Sequence, residues 1–204
     1  MRKDQKENSK KLRLWEAAAL VALCVSLCAG TWAQGRQSGI SGSLIRLHVV
    51  AVSDDEAEQA LKLRVRDAVL DFLSPLLEDA AGPEEAKAII GDNLRGVALA
   101  AQSAAQGRQV SVSLKRESFP TREYEGFTLP AGEYDSLRIV LGEGKGHNWW
   151  CVVFPPVCVS AVQTEELAAV MNEEDLKIVT ESEGYELRFK LVELWGELVG
   201  ALKK

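Results

Sequence analysis

Hydrophobic residues first gather in an uninterrupted run near the start of the chain. Residues 1–13 are rich in Lys and Arg, and Ala17–Ala29 follows without a charged residue. As a helix this run would cover roughly 20 Å, which is shorter than the roughly 30 Å hydrocarbon core of a bilayer. The pattern predicts a secretory signal peptide over residues 1–33, with cleavage after Ala33. An uncleaved N-terminal membrane anchor and a cytoplasmic amphipathic helix stay open as alternatives.

The segment after the apolar run is polar and made of small residues. Residues 34–43 alternate Gly, Ser and Gln in the string QGRQSGISGS, a composition typical of a flexible spacer. Strongly patterned sequence begins at Leu44. We therefore place a folded domain over residues 44–160 and a C-terminal helical extension over residues 161–204.

The first half of the domain combines one strand with helices. Leu44–Val52 is dense in aliphatic and β-branched residues, which predicts a mostly buried strand. Ser53 and Glu56 have the spacing of a capping box, which predicts a helix that starts there and stops before Pro75. A second helix is expected from Pro83 to about residue 107, with internal glycines that weaken it.

The second half of the domain changes to a strand pattern. Apolar and polar residues alternate from Val110 to Lys115, and Tyr134–Leu141 and Trp149–Phe154 are further strand candidates. Thr164–Met171 and Tyr185–Leu202 have helical spacing. The element order β-α-α-β-β-β-α predicts an α+β fold, in which a mixed or antiparallel sheet packs with two or more amphipathic helices.

Charge and composition remove several classes of function. The net charge is −6, and all six Lys and Arg residues of residues 1–33 precede the apolar run. An acidic body argues against nucleic acid, because binding to phosphates requires clustered Lys and Arg. The two histidines, His48 and His147, are too few for a zinc site, and His48 is expected to be a satisfied histidine within a strand. We predict no metal, no cofactor and no catalytic residue.

The string Gly142–His147 is the most unusual part of the sequence. Three glycines alternate around Lys145, but the spacing differs from that of a phosphate-binding loop and a strand follows. It is interpreted either as a flexible β-hairpin loop with a positive tip or as a partner-contact loop. Trp149 and Trp150 come next, and neighbouring residues of a strand point to opposite faces. One tryptophan can therefore enter the core while the other meets solvent or a partner.

Cys151 and Cys158 are the two cysteines that follow the apolar run. A pair of cysteines in an exported domain is a disulfide candidate, and Pro155-Pro156 supplies the turn that such a short loop needs. The alternative is a reactive thiol at Cys151 assisted by His147. In a strand these two residues would lie about 13 Å apart, which favours the disulfide.

Several segments, in order along the chain, resemble the stage II sporulation protein R family. The resemblance covers about residues 44–160. The segments that carry it are Leu44–Asp54, Ala60–Leu70, Phe119–Thr121, Leu129–Tyr134 and Leu137–Gly142, followed by the distinctive block of Gly142–Gly146, Asn148–Val152 and Phe154–Pro156.

The resemblance implies a role in signalling between two cells. Proteins of this family are exported from the forespore into the space between the two sporulation membranes. There they activate a membrane-embedded aspartic protease of the mother cell, which processes the sigma-E precursor. We expect membrane contact through the N-terminal segment only, and we hypothesise that Lys145, His147, Trp149 and Trp150 contact the partner. The competing classes are an extracytoplasmic thiol-dependent hydrolase and a module that binds cell wall or a small ligand.

Overall fold

The computed structural model describes residues 2–124, 126–157 and 163–180, with side chains from residue 13 onward in the first helix and from residue 165 in the last part. In chain order the elements are α1 (Arg2–Gly42), β1 (Ile45–Val50), α2 (Glu56–Leu77), α3 (Pro83–Asp92), α4 (Leu94–Ala104), β2 (Val110–Phe119), β3 (Arg122–Tyr124), β4 (Phe127–Leu129), β5 (Gly132–Leu141), β6 (Asn148–Phe154), α5 (Gln163–Val170) and α6 (Glu173–Thr180).

The strands form a mixed sheet, which confirms the predicted α+β fold. Four strands lie in the order β2-β5-β1-β6, and β3 and β4 form a separate two-stranded hairpin. β1 runs parallel to β5, whereas the pairs β1–β6 and β2–β5 are antiparallel. The parallel pair requires a crossover between its strands, and α2, α3 and α4 are part of that connection.

Each face of the sheet has its own hydrophobic cluster. On one face, Leu47 and Val49 of β1 and Ile139 of β5 pack with apolar residues of α2, α3 and α4. On the other face, Phe119 and Tyr134 pack with residues of α1, α5 and α6. Every residue of β1 is buried, because both of its faces are covered and it has a strand on each side.

The helix boundaries differ from the prediction at three places. α2 begins at Glu56 with Asp55 as its N-cap residue, and the hydroxyl of Ser53 binds the carboxylate of Asp55 instead of a helix amide. The helix also includes Pro75 and ends two residues later, at Leu77. The second predicted helix is two helices, since Asn93, with φ −104° and ψ 12°, separates α3 from α4.

The predicted flexible spacer is wrong, because residues 34–42 continue α1. Gly costs about 1 kcal/mol relative to Ala inside a helix, so propensity alone argues against helix here. Tertiary contacts compensate for that cost. Ile40 is buried in the second cluster, and the guanidinium of Arg36 forms ion pairs with Glu174 and Asp175.

The C-terminal part of the described chain contains one expected helix and one that was missed. α5 agrees with the predicted helix at Thr164–Met171, whereas α6 lies in an acidic stretch for which no helix was predicted. The β3–β4 hairpin was also missed, since no strand was predicted between Lys115 and Tyr134. The predicted helix at Tyr185–Leu202 lies outside the described residues.

α1 contains a segment that has the length and composition of a membrane span. Arg13–Gly42 is apolar enough to cross a bilayer, and its most hydrophobic window is not buried inside the protein. A signal sequence near an N-terminus would have the same properties.

Candidate partner-contact site at the 142–147 loop

The loop of residues 142–147 connects β5 to β6 at one end of the sheet. Because β1 is parallel to β5, β1 ends at the same place, with Val50 opposite Val140. The loop passes over the end of β1, which lies between β5 and β6. It is therefore a crossover and not the β-hairpin loop of the first interpretation. We call this end of the sheet, with residues 51–55 and 142–147, the loop end.

Hydrogen bonds fix the loop to the segment that follows β1. The amide of Lys145 donates to the carbonyl oxygen of Val52 at 3.3 Å, and the amide of Gly146 donates to that of Ala51 at 3.0 Å. The amide of His147 donates to Asp54 Oδ1 at 2.6 Å. Paired backbone amides in this arrangement do not support the interpretation of a flexible loop.

Lys62 of α2 also binds the 142–147 loop. Its Nζ donates to the carbonyl oxygen of His147 at 3.0 Å and to Gln59 Oε1 at 2.6 Å. The side chain is only 4% exposed. Burial lowers the pKa of Lys62, and the nearby carboxylate of Asp54 opposes that shift. Lys62 is thus a buried cation whose described hydrogen bonds position the loop.

Gly146 allows the close approach of the loop. A Cβ atom there would lie 2.2 Å from the carbonyl oxygen of Ser53 and 2.9 Å from its Cα. These are backbone atoms and cannot rotate away. Gly144 has φ +64° and would place a Cβ 2.6 Å from Val140 Cγ1. The glycines that suggested flexibility are therefore required by a tight, well-defined conformation.

The side chains that the loop presents to solvent are charged or polar. Lys145 has 76% of its side chain exposed and forms an ion pair with Glu143. The side chain of His147 is equally exposed, and its Nδ1 lies 2.6 Å from Asp54 Oδ1. A loop whose backbone is fixed and whose polar side chains are exposed can bind a polar surface with little loss of conformational entropy.

Trp149 and Trp150 lie on opposite faces of the sheet, as predicted. Trp149 packs against the first cluster, with the guanidinium carbon of Arg66 4.5 Å from its ring centre. Trp150 stacks on His48 at 3.9 Å and meets the edge of Phe119 at 4.7 Å. Both indoles are partly buried, so each contributes to packing as well as to the surface next to the loop.

His48 is a satisfied histidine within a strand, in agreement with the sequence-based expectation. Its Nδ1 lies 3.2 Å from Glu117 Oε2 and its Nε2 lies 3.0 Å from Asn148 Oδ1. Arg138 also pairs with Glu117. Burial alone would raise the pKa of Glu117, but the hydrogen bond from His48 and the charges of His48 and Arg138 lower it overall.

Arg46 has no predicted functional role, and the structure places it inside the second cluster. Arg46 is fully buried, with its guanidinium carbon 4.2 Å from the ring centre of Phe119 and 4.9 Å from that of Tyr134. One of its nitrogens donates to the hydroxyl of Tyr124. Burial lowers the pKa of Arg46. An arginine in a strand whose other residues are apolar except for His48 was the available signal.

The two cysteine hypotheses have different outcomes. Cys151 is buried in the first cluster, and Cys158 lies outside the described residues, so their pairing stays a prediction. The ring of His147 is exposed and bound to Asp54. That placement does not favour a reactive thiol at Cys151 that is assisted by His147.

Within the described residues, no group of three or more His, Cys, Asp or Glu side chains could hold a metal ion.

The comparisons with known proteins agree with one another. The family described as stage II sporulation protein R matches residues 41–164. The chain is 37% identical over 140 residues to stage II sporulation protein R of Bacillus subtilis (strain 168), an alignment that covers 67% of this chain. It spans 62% of the length of that relative. No solved structure matches.

The matched region contains the whole four-stranded sheet, the helices α2 to α4 and the 142–147 loop. It is more than half of the chain, and the resemblance of individual segments noted above falls within it. The chain therefore belongs to the stage II sporulation protein R family.

Proposed function

We propose that this chain is an exported sporulation signal that activates a membrane-embedded aspartic protease of the mother cell. The activated protease then processes the sigma-E precursor. The chain acts without catalysis of its own, in the space between the two sporulation membranes, by direct contact with the protease. Membership of the stage II sporulation protein R family supports this role most strongly.

The N-terminal segment supports export. Its Lys and Arg residues precede the apolar run, and positive charge marks the cytoplasmic flank of a membrane segment. The segment Arg13–Gly42 has the length and hydropathy of a span or a signal sequence. Both alternatives place the domain on the trans side of the membrane.

The 142–147 loop is the contact surface that the geometry favours. Its backbone is fixed by hydrogen bonds to residues 51–54 and by Lys62, while Lys145, Glu143 and His147 remain exposed. Charged groups of this kind lie at the rim of protein interfaces, and Trp150 is a partly buried neighbour of the type that anchors them.

The role is tested in a sporulating host by deletion of the gene. We expect the sigma-E precursor to accumulate uncut on an immunoblot, and we expect expression of the full chain in the forespore to restore processing. Normal processing in the deletion strain would contradict the proposed role.

The contact surface is tested by Lys145→Ala and His147→Ala. Both side chains are exposed, and exposed ion pairs contribute little to stability, so the variants should fold and reach normal levels. Arg95→Ala, at an exposed position of α4, is the matched control. We expect slower precursor processing with both loop variants and no change with Arg95→Ala. Normal processing with both loop variants would exclude the loop as the contact.

A further inference from the structure

The docked end of α1 and the 142–147 loop lie at opposite ends of the sheet. β5 begins at Gly132, where the side chain of Gln37 of α1 lies against the backbone. It ends at Leu141, immediately before the loop. A strand of ten residues is about 30 Å long. We call the end at Gly132 the helix end of the sheet.

The neighbouring strands confirm this polarity. Ile45 at the start of β1 pairs with Asp135 near the start of β5, and Ile45 follows α1 after only two residues. Phe119 of β2 pairs with Gly132. All three strands therefore have the same end next to α1, and the loop end is the far end for each of them.

Several specific contacts fix α1 to the helix end. Arg36 pairs with Glu174, and its Nη1 lies 3.4 Å from Asp175 Oδ1. Asp175 is 2% exposed, and a Cβ at Gly39 would lie 2.7 Å from its Oδ2. Ile40 is 1% exposed in the second cluster. A buried side chain, an ion pair and a close helix approach together restrict rotation of the domain relative to α1.

The distribution of exposed hydrophobic side chains distinguishes the two ends. Among the described residues, all the large exposed hydrophobic side chains except Leu76 and Leu99 lie on α1. The tips of the 142–147 loop are Glu143, Lys145 and His147, which are charged or polar. The loop end thus fits a polar protein surface, since none of its described residues is an exposed large hydrophobic side chain that could insert into lipid.

From these observations we propose that α1, when it is retained, is an orienting stalk. Its docked end holds the domain so that the 142–147 loop points away from the bilayer in which α1 is embedded. The loop then meets a polar surface of a protein that lies beyond that bilayer. The contact between the loop and a protein beyond the bilayer rests on the proposed function, whereas the orientation of the domain does not.

The test measures the distance of each end of the sheet from the membrane. The full chain, purified with α1 intact, is placed in vesicles of phosphatidylcholine and phosphatidylglycerol that carry an acceptor dye on their headgroups. A donor dye is attached through an azide-bearing residue at position 133, at the helix end, or at position 145, in the loop. Both positions are exposed.

We expect strong energy transfer from position 133 and loss of transfer at position 145. Equal transfer from the two positions, stronger transfer from position 145, or failure of the intact chain to remain on the vesicles would overturn the proposal. No partner protein is present, so this result is independent of whether the chain activates a protease.

A variant tests whether the docked contacts set the orientation. Arg36→Ala combined with Gln37→Ala removes the ion pairs of Arg36 and the packing of the Gln37 side chain against Gly132, and transfer from position 145 should rise toward that from position 133. Gln34→Ala combined with Ser38→Ala, at exposed positions of the same helix, is the matched control and should change neither value. An unchanged difference in the Arg36→Ala variant would show that these contacts do not orient the domain.

Discussion

Gly146→Ala should release the 142–147 loop from the segment after β1. The added Cβ would lie 2.2 Å from the carbonyl oxygen of Ser53 and 2.5 Å from its carbonyl carbon. Because these atoms belong to the backbone, either the loop or residues 51–54 must move by roughly 1 Å, given that carbon contacts settle near 3.5 Å. Such a movement breaks the hydrogen bonds that hold the loop.

The hydrogen bonds that this movement would break determine how much stability is lost. They are the bonds from the amides of Lys145, Gly146 and His147, at 3.3, 3.0 and 2.6 Å, and the bond from Lys62 Nζ to the carbonyl oxygen of His147, at 3.0 Å. Each contributes about 1 kcal/mol net. We expect a loss of about 2–4 kcal/mol in the free energy of unfolding, since part of the set can form again with water.

The assay compares urea unfolding and amide hydrogen exchange of the variant with those of the natural chain. Gly82→Ala is the control, because a Cβ there meets nothing within 4 Å and the φ of 174° suits any residue. Exchange should accelerate at residues 145–147 in Gly146→Ala alone. A loss below about 0.5 kcal/mol, the usual range for a neutral surface substitution, together with unchanged exchange, would refute the argument for a fixed loop.

Three further predictions concern Arg46, Glu117 and the pair Cys151 and Cys158. Arg46→Met should be more stable to urea than Arg46→Lys by about 2 kcal/mol, because Met leaves no buried charge, whereas Lys leaves an ammonium that is more strongly hydrated than a guanidinium and therefore costs more to bury; the reverse order would refute this. Folding lowers the pKa of Glu117 from 4.5. The stability that Glu117 contributes is therefore fully present above its pKa in the unfolded chain, and it is lost as the pH falls through its lower pKa in the folded chain. In Glu117→Gln the urea midpoint should therefore fall less steeply as the pH is lowered on the acid side, and an unchanged slope would contradict this prediction. Alkylation of the unfolded full chain without reductant should modify Cys24 and Cys28 and leave Cys151 and Cys158 unmodified, and four added alkyl groups would exclude the bridge.

The local patterns of the sequence predicted most of the individual elements. Alternation at Val110–Lys115 and the apolar runs at Leu44–Val52 and Trp149–Phe154 each correspond to a strand. Opposite directions for Trp149 and Trp150 follow from the period of a strand alone. Such features depend on neighbouring residues, so a single sequence is sufficient to identify them.

The interpretation of glycine was the main error. Glycines indicated flexible segments at residues 34–43 and at residues 142–147. In the structure, residues 34–42 belong to the docked helix α1, and residues 142–147 form a fixed crossover between β5 and β6. Gly146 is required because the backbone of Ser53 approaches it closely, and Gly39 lies next to the carboxylate of Asp175. Those neighbours are distant in sequence for Gly39 and Gly146 alike, so no local pattern distinguishes a close approach from flexibility.

Hydropathy, periodicity and motif are properties of contiguous residues, so they were sufficient to indicate the apolar N-terminal run, the α+β class, the family and the unusual loop. Long-range packing was needed to show that β1 lies between β5 and β6, that Arg46 is enclosed by aromatic rings, and that the docked end of α1 and the loop occupy opposite ends of the sheet. The reason is physical: strand order and docking are set by burial of surfaces that belong to residues far apart along the chain.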